Sequence, residues 1–422
     1  MVSGFMVMPG EGFFMLKILY DISLRKECSK GMIAALLVVA ALIFINWPIV
    51  SPLPMTLAAG FCLLLYFLFF TIGAVPVATR LRTWIEYNPR RVFLFPLVLA
   101  GLLYVYVFAV NGNPTTWPHA ELRTVIFYLT AIPAAVLLPA WWFYRYCRAE
   151  EKPVNGWDFL RFALVAGLVG LSRFPFDGIP VTGRHFETAG HLVMMLVFVY
   201  VVVVVRRLKW VGFALSFSWR DLLFTIGCWV IMLALFFGML YPAGLIQYVG
   251  YHDLSWLGFQ AGFAYFLGHL FRVGMFEELV FRGVFQNMLA QKVGEWSGLS
   301  RTRLLKYAVI IAVPLALATT FLIPQAHCRW LPPLIVLLIF GITYLIEKYF
   351  RVSPGEYIVL AIISVVFGLA HYRFGEVFMA LACLAGWFDG LVYTKTKNVY
   401  LAALIHALLN CSPMFLGLQK NW

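Results

Sequence analysis

Charge is what this sequence has least of. Asp, Glu, Lys and Arg make up 12% of the 422 residues, about half the share usual in a soluble domain. Only 19 residues are acidic against 32 basic, while 63% are hydrophobic and the mean hydropathy is +0.87. A water-soluble globule cannot hide that much apolar surface, but a chain solvated by hydrocarbon need not hide it. Paired cysteines are also missing. The seven cysteines, at positions 28, 62, 147, 228, 328, 383 and 411, show no spacing of a disulfide framework or a thiolate metal site and read as small hydrophobes. Alternating ten-residue segments are absent too, which excludes a transmembrane barrel.

What is there is a series of continuous apolar runs. They fall at approximately 31–47, 56–79, 92–110, 125–144, 158–172, 188–205, 221–241, 255–289, 307–323, 331–346, 356–371, 376–393 and 399–418. By length these predict an all-α polytopic membrane protein with about 13 (11–13) transmembrane or re-entrant helices. The net charge of +13 is what basic cytoplasmic loops and anionic headgroups account for, so no nucleic-acid partner is expected and the lipid bilayer is. Lys and Arg alternate between rich and poor connections. The N-terminus, Arg80–Arg91, Arg145–Lys152, Arg206–Arg220, Lys292–Lys306, Lys348–Arg351 and Lys395–Lys397 are rich, whereas Trp47–Pro54 and Tyr241–Asp253 have none. That alternation predicts a cytoplasmic N-terminus and an outer C-terminus. Lys17, Arg25, Lys26 and Lys30 precede the first run and no A-x-A-like site follows it, so that run is expected to stay as a signal anchor.

An ionisable residue at the centre of a membrane helix costs about 2.5–3.5 kcal/mol on the insertion scale, so each one asks for a purpose. Three places stand out: Glu277, Glu278 and Arg282 in EELVFR, His371 closing FGLAH, and His406 with Asn410 in HALLN. Residues four apart share a helical face, so Glu278 and Arg282 can pair, while Glu277 is turned away by about 100° and is left for a general base. His406 and Asn410, also four apart, can aim two polar groups into one cavity to hold a water, a metal or a developing oxyanion. The cluster around Arg282 equally suits a structural ion-pair knot. Asp389, in GWFDG, stands alone in the sequence, and the GxxxG spacing of Gly386 and Gly390 reads as close helix packing.

Together EExxxR, FxxxH and HxxxN, in this order and each on an apolar helix, resemble the motif set of the CPBP intramembrane endopeptidases, relatives of the Ras-converting CAAX endopeptidases. The resemblance covers roughly residues 259–418. It implies a conical helical protease core in which Glu277 and His371 activate the attacking water, and in which His406 and Asn410 stabilise the oxyanion. Glu278 and Arg282 would be the supporting pair. A metal-dependent version would place a divalent ion (zinc) near Glu277, His371 and His406. The implied partner is a membrane-anchored protein or peptide substrate, and the implied location a prokaryotic inner membrane.

The chain departs from that pattern in one respect: two extra apolar blocks separate Arg282 from His371. The expected organisation is therefore an N-terminal transmembrane region, 1–253, and a core, 254–422, carrying an inserted helical hairpin at about 307–346. Simple counting places His371 and Glu277 toward opposite ends of their helices. No H-E-x-x-H, G-x-S-x-G or G-x-G-D string occurs, and RHFETAGH (His185, Glu187, His191) has the wrong spacing for a zincin. A proton- or ion-coupled transporter, or a non-catalytic immunity or scaffold protein, are the other readings of the buried charges.

Overall fold

The computed structural model describes residues 10–46, 52–111, 137–138, 140–145, 153–171, 188–250, 255–295, 301–323, 326–349 and 355–420. Most of the apolar block at 125–144, and His119, His185, Glu187 and His252, lie outside them. The described chain is all-α, with two three-residue strands. In chain order the helices are α1 (Gly10–Asn46), α2 (Pro52–Thr71), α3 (Val75–Tyr87), α4 (Leu94–Asn111), α5 (Gly156–Leu171), α6 (Thr188–Val199) and α7 (Trp219–Leu240). There follow α8 (Trp256–Gly268), α9 (Met275–Glu278), α10 (Asn287–Glu295), α11 (Arg301–Leu322), α12 (Leu331–Tyr349), α13 (Glu356–Ala370), α14 (Glu376–Thr396) and α15 (Val399–Phe415). Among the described residues four helices are long and apolar enough to cross a membrane: Trp219–Leu240, Leu305–Leu322, Leu331–Tyr349 and Glu376–Thr396. The pair Ala59–Thr71 and Val75–Tyr87, bent by 97°, makes a fifth if it is one span.

The chain divides into two compact units. The first comprises Met1–Arg148 and Ser172–Arg207. In it α1 lies along α2, and α6 continues through a π-helical turn, Tyr200–Val205, buried on all sides. Its polar groups tie elements together: Tyr200 donates to the Val92 carbonyl (3.0 Å) and Arg82 to the Val203 carbonyl (2.7 Å), and Arg207 pairs with the Glu86 carboxylate. Satisfying each polar group internally is what a hydrocarbon solvent demands.

The second unit comprises Ala149–Leu171 and Leu208–Trp422 and contains all three motifs. Local chemistry sets its helix starts. Ser218 and Asp221 form a capping box at α7, Ser255 caps α8, and Asn398 accepts from Tyr400 and Leu401 at the start of α15; such caps satisfy the orphan N–H groups. Strands β1 (Ile246–Tyr248) and β2 (Leu418–Lys420) pair antiparallel, Gln247 opposite Gln419.

Helix α14 is the centre of this unit. Its composition would suit a lipid-exposed span, yet 89% of its apolar window is buried by neighbouring helices. The hairpin α11–α12 packs on α13 and α14. Ala308, Ala312 and Ala316 form a buried small-residue stripe that lets α11 approach closely, and Trp387 donates to Thr343 across the α14–α12 contact (3.3 Å). The α11–α12 hairpin is thus a buttress for α13, which ends at His371, and for α14, which carries Asp389. Helices α13 and α14 meet most tightly at Gly368, where a Cβ would collide with the Cys383 sulfur and lie 2.7 Å from the Met379 carbonyl oxygen.

Gly368→Ala is expected to destabilise the protein by about 1–3 kcal/mol through overpacking. Gly227→Ala, inside α7 with nothing within 4 Å of the added atom, should instead raise the melting temperature slightly, since Ala gains about 0.5–1 kcal/mol over Gly within a helix; thermal unfolding of the purified protein in detergent compares the two.

Candidate active site

The motif EELVFR sits in a stretch of helix that is not regular. Between α8 and α9 the residues His269–Gly274 are π-helical, and so are Leu279–Gln286 between α9 and α10. Glu277 and Glu278 therefore occupy a single α-helical turn flanked by two widened ones. Such π-bulges re-aim side chains and gather at functional sites. Gly274 lets this segment approach α15, since a Cβ there would lie 3.0 Å from the Ala403 carbonyl oxygen.

The two carboxylates face different partners. Glu278 is fully buried; its Oε2 accepts from Arg282 Nε (2.9 Å) and its Oε1 from His406 Nδ1 (3.0 Å). Glu277 points the other way, its Oε2 lying 3.4 Å from His371 Nε2 and 3.9 Å from His406 Nε2. The imidazole of His406 is thus held between the adjacent carboxylates, one at each ring nitrogen. Side chains of Glu277 and His371 keep 18% and 13% of their surface accessible, whereas Glu278 and Arg282 keep none. The site has a sealed side and an open side.

Arg282 organises the sealed side. Its guanidinium bonds Glu278 and Gln286 (3.5 Å) and lies over the ring of Phe367 at 5.1 Å. Gln286 in turn donates to Thr394 (2.8 Å) and to the Gly390 carbonyl (3.3 Å) on α14. Gly386 and Gly390 make the room: a Cβ would come within 3.0 Å of Arg282 Nη2 at the first and 2.8 Å of Gln286 Oε1 at the second. The GxxxG spacing does serve close packing, and what it accommodates is this pair of polar side chains.

His371 follows α13, whose 15 residues extend about 22 Å, short of a hydrocarbon core about 30 Å thick. Counting along the sequence separates His371 from Glu277 in depth; the structure brings them to 3.4 Å, because a short helix ends before it has crossed. His371 Nδ1 donates to the Phe367 carbonyl (2.8 Å), which turns Nε2 toward Glu277. Its ring packs against Phe367, Phe374 and Phe378, with centroids 4.6–6.0 Å apart. Asn410 lies one turn beyond His406 on α15, half-buried, and makes no hydrogen bond among the described residues.

Asp389 does not stand alone, contrary to the sequence expectation. It is 1% exposed and places Oδ2 3.5 Å from His406 Nδ1. The signal that could have found it is its position in the middle of a long apolar helix, the criterion that singled out Glu277. Donor atoms of Glu278, Asp389 and His406 all lie within 4.8 Å of one another, a spacing within reach of a metal ion. The donor set argues against that use: Arg282 and His406 already occupy both oxygens of Glu278, and a cation would sit beside a guanidinium.

Residues 342–412 match the family model of type II CAAX prenyl endopeptidase, Rce1-like. The match takes in His371, His406 and Asn410 but not Glu277, Glu278 and Arg282; it agrees with the family resemblance and covers two of the three motifs from which it was drawn. No curated protein and no solved structure matches the chain.

Removing one partner of a buried ion pair leaves an uncompensated charge, so Arg282→Met should cost about 3–5 kcal/mol of stability. The double variant Glu278→Leu/Arg282→Met should lose clearly less; melting in detergent, with the two variants side by side, checks the order.

Proposed function

We propose that this chain is an intramembrane endopeptidase that hydrolyses a peptide bond of a membrane-anchored protein or peptide, with water as the nucleophile and no acyl-enzyme. The observation that carries the reading is that Glu277 Oε2 faces two imidazole nitrogens from two other elements, His371 Nε2 at 3.4 Å and His406 Nε2 at 3.9 Å. A carboxylate oxygen and an imidazole nitrogen facing one point are a general base and its partner for a water molecule.

In this scheme Glu277 takes a proton from the water as its oxygen attacks the scissile carbonyl carbon, and His371 steadies the water. The developing oxyanion is met by His406 and by Asn410, whose amide is uncommitted. Collapse breaks the C–N bond, and the proton held by Glu277 passes to the leaving amine. Glu278 and Arg282 act at a distance, holding His406 in place. The aromatic rings around His371, with Tyr372 and Phe374 largely exposed beside it, give an apolar lip for a substrate that arrives through the bilayer.

In this reading Glu277 and the imidazoles act on the water without a metal. A strong chelator should leave cleavage intact, and loss of cleavage restored by zinc would reassign the chemistry to a metal.

Glu277→Gln should lower turnover by about 10²–10⁴-fold, the usual worth of a positioned general base, with melting temperature and membrane insertion unchanged. Comparing membrane proteomes of cells carrying the native chain or the variant should reveal one or more substrates accumulating uncut. Undiminished processing would rule the enzyme out, and a change in ion flux through proteoliposomes instead would make it a transporter.

A further inference from the structure

Phe367 stands four residues before His371, so on α13 its ring points along the face that leads to that imidazole. The hydrolytic scheme gives this side chain no part, yet three polar groups of the site converge on it. The residue is only 2% exposed. Arg282 lies over the ring at 5.1 Å, the His371 ring packs against it with centroids 4.6 Å apart, and the His406 ring meets it at 87° with centroids 5.9 Å apart. Phe281, beside Arg282 on the π-bulged segment, adds an edge contact at 5.0 Å and 81°. Helix α14 closes the box: a Cβ at Gly386 would come within 2.8 Å of Phe367 Cδ1. An aliphatic side chain could fill the same volume but not make the same contacts. An aromatic ring has a negative face that attracts a guanidinium and a positive edge that suits a second ring set at right angles.

We propose that Phe367 is a positioning residue: its ring, seated against the Arg282 guanidinium, is the spacer between the two imidazoles and sets where each Nε2 stands relative to Glu277. Those nitrogens come from different parts of the chain, and both face Glu277 Oε2, His371 at 3.4 Å and His406 at 3.9 Å. Hydrogen bonds hold each imidazole at Nδ1, His371 to the Phe367 carbonyl and His406 to Glu278, but a single bond leaves a ring free to tilt about it. The Phe367 ring, touching both, removes that freedom. The kinetic consequence rests on the hydrolytic reading; the three ring contacts are a property of the resting protein and are measured separately.

The test uses the full chain in lipid nanodiscs with 4-fluorophenylalanine placed at position 367 alone, and reads its fluorine-19 signal. That signal should move in each of Arg282→Met, His371→Gln and His406→Gln and stay in place in Gly227→Ala. A signal indifferent to any one of the first three overturns the proposal whatever the activity. If Arg282→Met does not fold, rings carrying one, two and three fluorines read that contact in the native background: they keep the ring's shape while weakening its negative face, so the melting temperature should fall stepwise, and a constant one overturns the proposal. In cleavage assays Phe367→Leu should lower kcat by about 100-fold, the cost of a small misplacement of reacting groups, with KM unchanged, and the fluorinated series should lower kcat stepwise. An undiminished kcat, or a rise in KM alone, overturns the proposal, the second in favour of a wall of the substrate groove; if Phe367→Leu does not fold, the fluorinated proteins decide it. Absence of cleavage from every protein, the native chain included, with the fluorine shifts as expected counts against the hydrolytic reading and leaves the spacer standing.

Discussion

The pairing of Arg282 with Glu278 inside an apolar bundle is the constraint on which the rest of the site depends. Both side chains are sealed from solvent, where each bare charge would cost several kcal/mol. Several neighbours of the guanidinium offset that cost: a carboxylate at Nε, an amide oxygen at Nη1, the face of Phe367 against its plane, and two glycines that leave it space. Because Glu278 is committed to Arg282 at one oxygen, it offers the other to His406, and the position of that imidazole is decided by an ion pair that touches no substrate.

The same commitment separates two adjacent residues into two roles. Glu277 and Glu278 share one helical turn and identical chemistry, yet one faces the accessible side and the other the sealed side. The π-helical turns on either side of them relieve the surrounding helix of regular spacing. The tertiary partners do the rest, with His371 arriving at the end of a short helix and His406 from the middle of α15. The α11–α12 hairpin packs on α13 and α14, which meet where Gly368 permits no added atom, next to the residues that carry His371.

Much of this was legible beforehand. The low charge and long apolar runs imposed a helical membrane protein, because backbone polar groups in hydrocarbon must be satisfied within the chain. Spacing by four identified the Glu278–Arg282 pair, and the rotation between neighbours set Glu277 apart. Asp389 stands alone along the chain, and it is packing of α14 against two other elements that gives it company. Residue counting assumes full spans, and α13 is too short to be one, so the closeness of His371 and Glu277 follows only from packing.

What the sequence by itself determined is therefore the class of structure and the inventory of polar groups that the bilayer would not tolerate without partners. Composition and periodicity act through local rules, the transfer of side chains into hydrocarbon and the 3.6-residue turn, and need no knowledge of neighbours. Which polar group meets which was decided only by the tertiary structure. His406 lies 128 residues from Glu278 along the chain, and only the packing of helices through close-approach glycines, short spans and widened turns brings such groups within bonding distance.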